Sequence, residues 1–213
     1  MSKIVVKQRG RGAGGQGRKF APPLPRSSAP LLLLLLLFFS SCASTAPVVK
    51  IGLVAPFEGR DRAIGYEVIY GARLAVREIN AAGGIGGYQV ALVALDDSGT
   101  NEFAAETATS LIIDPAVVAV IGHWLPETTA VVTSLYANAN LYFLPEISPS
   151  TNPITPAFYE AYSSVTPFDE EPTGYSLAAY EAMGEVFMGM ETAVVESGTI
   201  NRQTMNATPQ QAD

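Results

Sequence analysis

The fold is decided by the stretch VVKIGLVA (Val48–Ala55) together with GYEVIYGARLAVREINAA (Gly65–Ala82) and YQVALVAL (Tyr88–Leu95), which follow it along the chain. The first and third segments are apolar and rich in β-branched residues, which predicts buried strands. The middle segment repeats apolar residues at helical spacing, and the glycine-rich run GGIGG (Gly83–Gly87) ends it. This strand, helix and strand predict a βαβ unit within a parallel sheet.

The same alternation continues toward the C-terminus. A helix is predicted from Asn101 to about Ile113, a strand at Val117–Ile121, a helix from Pro126 to about Asn138 and a strand at Leu141–Leu144. The predicted fold class is therefore α/β, with a doubly wound parallel sheet covered by helices on both faces. Beyond this region the pattern predicts a short strand at Tyr162–Thr166, a helix at Tyr175–Met188 and a strand at Glu191–Glu196.

Charge is distributed unevenly along the 213 residues. The first 30 residues hold seven of the 13 basic residues and no acidic one, whereas from Ala43 onward six basic and 20 acidic residues give a net charge of −14. Such an acidic body repels polyanions, so a nucleic-acid-binding protein is excluded. One cysteine and one histidine exclude a disulfide scaffold and a cysteine-rich zinc site.

The N-terminus has the layout of an export signal. Basic residues precede nine consecutive apolar residues at 31–39, which are too few to span a bilayer. Small residues then precede Cys42, and this arrangement resembles a bacterial lipoprotein box. We expect residues 1–42 to be a lipoprotein-type signal, Cys42 to carry lipid and residues 43–47 to form a tether; an ordinary signal peptide cut near Ala46 is the alternative.

Four segments carry a family resemblance: KIGLVAPFEG (Lys50–Gly59), YGARLAVREINAAGGIGGYQVALVALDDSG (Tyr70–Gly99), VVAVIGHW (Val117–Trp124) and PEISPSTNP (Pro145–Pro153). In content, order and spacing they resemble the type I periplasmic binding proteins of ABC importers, in the leucine/isoleucine/valine-binding branch. The resemblance implies a protein with two α/β lobes that trap a ligand between them.

Two alignments to this family are open beyond the fourth segment. In the continuous one, residues 48–160 form lobe one, and residues 161–213 supply a crossing strand and the incomplete beginning of lobe two, so that the chain looks C-terminally truncated. In the other, Phe158–Ala182 resembles the returning helices of lobe one, which implies a deletion that leaves one lobe. We favour the continuous alignment because it needs no deletion.

The candidate binding residues follow the predicted strands, because ligands of open parallel sheets lie beyond the carboxyl ends of the strands. The helix beginning at Pro126 is the first choice for a ligand carboxylate. In the resemblance the family's pocket serine falls on Pro126, which leaves Thr128 and Thr129 as replacements, and its pocket threonine falls on Thr151. The other candidate binding residues are Ser150 in the same loop as Thr151, Trp124 as a wall, and Ile64 and Tyr66.

Residues with enzymatic or metal-binding chemistry are sparse. His123 is interpreted as a hydrogen-bonded structural residue, and nothing marks a nucleophile for it. The sequence Asp96–Glu102 lacks the spacing of a calcium loop, and the GGIGG run follows a helix, unlike a dinucleotide fingerprint. We therefore expect no catalytic residues, no metal and no cofactor.

The resemblance implies a lipid-anchored, extracytoplasmic solute-binding protein that delivers amino acids, in particular branched-chain ones, to an ABC permease. Since only half of a cleft is expected here, binding by this chain alone should be weak or absent, and a micromolar dissociation constant for leucine would overturn that expectation. The alternatives are a ligand-sensing receptor domain of the same fold and a non-functional truncated fragment.

Overall fold

Four parallel strands form a single sheet in the computed structural model, which describes residues 45–145, 148–167 and 170–207. The strands lie in the order β2-β1-β3-β4. Their bounds are β1 Val48–Ala55, β2 Gln89–Asp96, β3 Val117–Gly122 and β4 Tyr142–Leu144. β1 is central, because it pairs with β2 along its whole length and with β3 on its other side. The predicted parallel sheet is confirmed.

Six helices accompany the sheet in the described part of the chain. They are α1 Arg62–Ala81, α2 Asn101–Ile113, α3 Pro126–Asn138, α4 Pro156–Ser163, α5 Gly174–Ser197 and α6 Arg202–Ala207. The glycine-rich run ends α1 as predicted, with the Gly84 amide donating to the carbonyl of Ile79 at 2.9 Å. Thr100, rather than Asn101, caps α2, because its side chain accepts from the amide of Phe103.

Each face of the sheet has its own hydrophobic core. In the first core, alternate residues of β1 such as Ile51 and Leu53 pack with α1 and α5. In the second core, Val54 and Val120 pack with residues of α2 and α3, including the fully buried Tyr136. Helices therefore cover both faces, and the sheet is doubly wound as predicted.

Helix α5 crosses α1 at very short range. The backbone of Gly71 in α1 lies so close to Ser176 in α5 that a Cβ built on Gly71 would stand 2.0 Å from the Ser176 carbonyl oxygen. Thr173 and Ser176 form a capping box at the start of α5, and Gly198 ends it with a left-handed φ of 73°. Helix α4 completes this face by packing Phe158 against α1 and α5.

The strands predicted at Tyr162–Thr166 and Glu191–Glu196 are wrong, because both segments contribute to helices instead. Tyr162 is buried in α4 and meets the ring of Phe158 one turn earlier, at 5.8 Å between centroids. The second segment continues α5, whose Met190 and Ala193 are buried in the first core. Their helical spacing onto this core outweighs the β preference of the neighbouring valines.

The helices after residue 155 bear on the number of lobes that the chain contains. The described residues from Thr45 to Ala207 form one compact unit, and α5 covers the same sheet as α1 rather than beginning a second body. The crossing strand expected after residue 160 is replaced by the end of α4 and a turn. This arrangement agrees with the second alignment, in which these helices belong to lobe one.

The predicted signal at residues 1–42, its lipidation residue Cys42 and the first two residues of the tether lie outside the described residues. Within the described ranges, no helix has both the length and the apolar character that crossing a bilayer requires.

Candidate functional site

The order of the strands along the chain changes direction at β1, and the candidate site lies at the carboxyl ends of the strands around this point. From β1 the chain passes to β2 on one side and then to β3 on the other side, so the loops after β1 and β3 diverge. Such a switch point leaves a crevice above the strand ends, and open α/β sheets bind ligands there. The candidate site is therefore built from the loops after β1, β3 and β4.

Gly122 shapes the loop after β3. Its φ is 101°, and a Cβ there would lie 2.0 Å from the Val54 carbonyl oxygen, so only glycine fits without displacing β1. The predicted binding residues Thr128 and Thr129 lie just beyond, and both are buried. Their hydroxyl groups donate to the carbonyls of Leu125 at 3.1 Å and His123 at 2.6 Å. These donors therefore hold the loop against the start of α3.

A series of fully buried, hydrogen-bonded side chains anchors the start of the same loop. His123 Nδ1 lies 2.8 Å from Asp97 Oδ2, and His123 Nε2 lies 3.1 Å from the hydroxyl of Tyr136. The amide of Gly99 donates to the other carboxylate oxygen of Asp97 at 3.0 Å. Burial, and secondarily the charge of Asp97, raises the pKa of Tyr136. Both ring nitrogens of His123 are thus engaged, which confirms its interpretation as a hydrogen-bonded structural residue.

Trp124 carries an unsatisfied donor at this edge. Its side chain is 7% exposed, and its ring meets the edge of Tyr175 from α5 at 6.1 Å between centroids. The indole Nε1 is buried and has no hydrogen-bond partner among the described residues. Because buried donors are almost always paired, this N–H is a candidate hydrogen-bond donor to a bound ligand.

The loop after β4 approaches the start of α5. The Ser150 amide donates to the Gly174 carbonyl at 2.9 Å, and the Ser150 hydroxyl accepts from the amide of Asn152 at 3.2 Å. Thr151 is exposed beside it. Ile64 is half-buried and packs against the first core, to which Trp124 also belongs. The structure thus places Ile64 and Trp124 on one cluster.

Tyr66 lies elsewhere, in a cavity of about 340 Å³ on the flank between α1 and β2. The residues lining this cavity, called here the flank cavity, are Phe57, Tyr66, Ile69, Tyr70, Arg73, Ala94 and Asp96. Tyr66 is 46% exposed at its rim. The sequence places Tyr66 next to Ile64, but their side chains serve different surfaces because they lie two residues apart on a helix.

Asp96 ties the flank cavity to the loop after β1. Its Oδ1 accepts from the amides of Phe57 at 2.7 Å, Glu58 at 3.3 Å and Ser98 at 2.8 Å, and its Oδ2 accepts from the Ser98 hydroxyl at 2.7 Å. Partial burial raises the pKa of Asp96, but these hydrogen bonds outweigh burial and bring the pKa below its ordinary value. The side chain is therefore a carboxylate at neutral pH.

Two of these residues were missed in the sequence as members of a site. Tyr175 begins the helix predicted at Tyr175–Met188, but its contact with Trp124 appears only when α5 folds onto the sheet. Asp96 lies at the end of a predicted strand, where ligands of such sheets bind, but it was not among the candidate binding residues. No cluster of three or more His, Cys, Asp or Glu residues suited to a metal ion occurs in the described ranges.

About half of the chain is similar to known proteins. Residues 48–151 match the family model described as periplasmic binding protein. An amino acid binding protein of Pseudomonas aeruginosa is 35% identical over 106 residues, and Leu/Ile/Val-binding protein homolog 1 of Brucella abortus is 33% identical over 106 residues. Each match covers 49% of this chain and 28% of the relative, so the chain matches less than a third of the length of these relatives.

Solved structures share the fold. The branched-chain amino acid transporter substrate binding protein LivJ from Streptococcus pneumoniae, in complex with isoleucine, superposes with a TM-score of 0.63 at 16% identity, over 75% of this chain and 87% of that chain. An ABC transporter substrate-binding protein from Desulfitobacterium hafniense, in complex with Leu, gives a TM-score of 0.61 at 15% identity over the same shares. These relatives and structures are binding proteins, not enzymes. Residues 48–151 of this chain thus match the periplasmic binding protein family, and the fold is that of its solved members.

Proposed function

We propose that this chain is the amino-acid-binding lobe of an extracytoplasmic solute-binding protein that serves an ABC importer, with branched-chain amino acids as its ligands. The names of the two relatives support the ligand class, because they describe amino acid and Leu/Ile/Val binding. The shared fold supports the site, because a sheet of this order binds at its switch point.

The proposal rests on the indole N–H of Trp124, for which the described part of the chain offers no hydrogen-bond partner. A ligand carboxylate is a strong acceptor, and an N–H that is buried without a partner gains most from meeting one. Helix α3 begins two residues later with Pro126, and no side chain caps its first turn. The backbone amides of this turn and the helix dipole favour the same anionic group.

The remaining candidate residues take different roles in this proposal. Thr128 and Thr129 use their hydroxyl hydrogens within the loop, so in this proposal they orient the first turn of α3 rather than donate to the ligand. Ser150 and Thr151 approach from the loop after β4, and Ile64 supplies an apolar surface for the ligand side chain. Tyr66 is not assigned to this seat, because it lines the flank cavity.

The importer role and the cellular location are part of the same proposal. Export through the N-terminal signal and lipidation of Cys42 would hold the acidic body outside the cytoplasmic membrane, near a permease. Closure of a cleft needs a second surface facing the carboxyl edge. The described residues supply one lobe, so we expect leucine to bind this chain alone with a millimolar dissociation constant, about −4 kcal/mol.

The single tryptophan makes a direct test feasible. In a ¹H–¹⁵N spectrum the chain has one indole signal, which belongs to Trp124. Titration with L-leucine should shift this signal saturably, and L-leucinamide, which lacks the carboxylate, should shift it far less at equal concentration. An indole signal that does not respond to leucine, or that responds equally to the amide, would count against a carboxylate seat at Trp124.

A further inference from the structure

The flank cavity combines aromatic walls with two opposite charges. Phe57, Tyr66 and Tyr70 supply rings, whereas Arg73 and Asp96 supply a guanidinium and a carboxylate. No salt bridge joins these two charged groups, although both line the same cavity of about 340 Å³. That volume lies within the range of small-molecule sites, and apolar walls with a few convergent polar groups are their usual lining.

Arg73 differs from the other basic residues of the body. Lys50 and Arg60 pair with carboxylates, whereas Arg62, Arg77 and Arg202 donate to backbone carbonyls. Among the described residues, by contrast, no oxygen accepts a hydrogen bond from Arg73, whose guanidinium stands 5.6 Å from the ring centroid of Tyr70. The ring orients the guanidinium, and the N–H groups of the guanidinium remain available to an external anion.

Asp96 also lines the cavity and has acceptor capacity left. Of the four hydrogen bonds that it accepts from described residues, three go to Oδ1 and one, from the Ser98 hydroxyl, goes to Oδ2. A carboxylate oxygen offers about two acceptor positions, so Oδ2 has one to spare. Because the four bonds lock the group in place, it is a pre-oriented acceptor for an ammonium group.

We propose that the flank cavity binds a free apolar α-amino acid, with its carboxylate on Arg73, its ammonium on Asp96 and its side chain against the aromatic walls. A simple anion would be repelled by Asp96 and a simple cation by Arg73, whereas a zwitterion satisfies both charges. The ligand class is shared with the proposed function, on which this part rests. The location is new, because the cavity lies on the α1–β2 side of β1, away from Trp124 and the loop after β3.

The test uses L-leucine and two variants of the full chain. Arg73→Gln removes the proposed carboxylate partner, and Arg77→Gln is the matched control, one turn along the same helix face and bonded to Ser164 instead. The NMR signals of the backbone amides of the cavity residues report leucine binding. We expect Arg73→Gln to raise the dissociation constant for leucine at least about tenfold, the factor typical of one lost charge-assisted hydrogen bond. The Arg77→Gln variant should bind as the parent chain does.

Two analogues test the zwitterion requirement. 4-Methylpentanoate lacks the ammonium group of leucine and 3-methylbutylamine lacks its carboxylate, and each should bind at least about tenfold more weakly than leucine. Leucine affinity that is unchanged by Arg73→Gln would overturn the inference, and so would an analogue that binds as tightly as leucine.

The two sites are separated by their reporters. A shift of the Trp124 indole without a shift at the cavity amides would overturn this inference and leave the proposed function in place. Cavity shifts that respond to Arg73→Gln, with a silent indole, would support the inference and reject the seat at Trp124. Silence at both would reject both.

Discussion

The crossing of α5 over α1 makes opposite predictions for two helical glycines. In a helix interior, replacing glycine by alanine gains about 1 kcal/mol of stability from propensity alone. At Gly184 in α5 no atom lies within 4 Å of the added Cβ, so Gly184→Ala should show most of that gain. At Gly71 the added Cβ would stand 2.0 Å from the backbone oxygen of Ser176.

The magnitude at Gly71 follows from this distance. Real Cβ atoms essentially never approach another atom within 3.0 Å, so α1 and α5 must separate by about 1 Å where they cross. Overpacking of this kind costs about 1–3 kcal/mol, and the obstacle is backbone, which cannot rotate away as a side chain would. A backbone obstacle corresponds to the upper part of that range, about 2–3 kcal/mol, and subtracting the propensity gain of about 1 kcal/mol leaves an expected loss of about 1–2 kcal/mol in the free energy of unfolding of Gly71→Ala.

Urea unfolding of the two variants and the parent chain, followed by circular dichroism, measures both effects. With a slope of about 2 kcal/mol per molar urea, the two midpoints should differ by roughly 1 M and lie on opposite sides of the parent. If Gly71→Ala were as stabilising as Gly184→Ala, α5 would not lie on α1, and the residues after 160 would have to be placed in a separate lobe after all.

Two further substitutions test the loop after β1 and the end of α2. Asp96→Asn should lower the free energy of unfolding by about 1–2 kcal/mol at neutral pH. Because folding lowers the pKa of Asp96 from its ordinary value of 3.8, this loss should be complete above pH 3.8 and should disappear as the pH falls through the lower pKa of the folded state. Urea midpoints at pH 7 and pH 3 check it, and an equal cost at both would contradict the hydrogen-bond argument. Arg202→Met removes bonds from one guanidinium to four carbonyls near the end of α2 and the start of β3, and should lower the free energy of unfolding by about 2–3 kcal/mol. Arg202→Lys should recover less than half of that loss, because an ammonium cannot reach all four oxygens; full recovery in thermal unfolding would show that charge alone matters.

Much of the fold could be predicted because its signals are local. The apolar run of β1 and the glycine-rich end of α1 specify their conformations within a few residues. The bounds predicted for α2 and α3, which begin at Asn101 and Pro126, agree with the structure for the same reason. The parallel order of the sheet followed from the alternation of strands and helices.

The site was predictable only in part. The sequence places Trp124 and the two threonines after a strand end, which is enough to select the loop. It does not reveal that the hydroxyl of Thr129 points inward to the His123 carbonyl, or that none of residues 45–145, 148–167 and 170–207 pairs with the indole N–H of Trp124. Side-chain directions of this kind depend on which elements pack above the loop, and Tyr175 comes from a helix some 50 positions away in the chain.

The four strands of the sheet and the turns between them could be predicted from the sequence, because they depend on neighbours along the chain. Only the tertiary structure shows that ETAVVE (Glu191–Glu196) is helical and that α5 covers the face of the sheet occupied by the first core. The helical spacing of Met190 and Ala193 matters because both residues pack into that core. The tertiary structure also brought Arg73 and Asp96 to one cavity, since the distance between a helix and a strand is set by packing and not by position in the sequence.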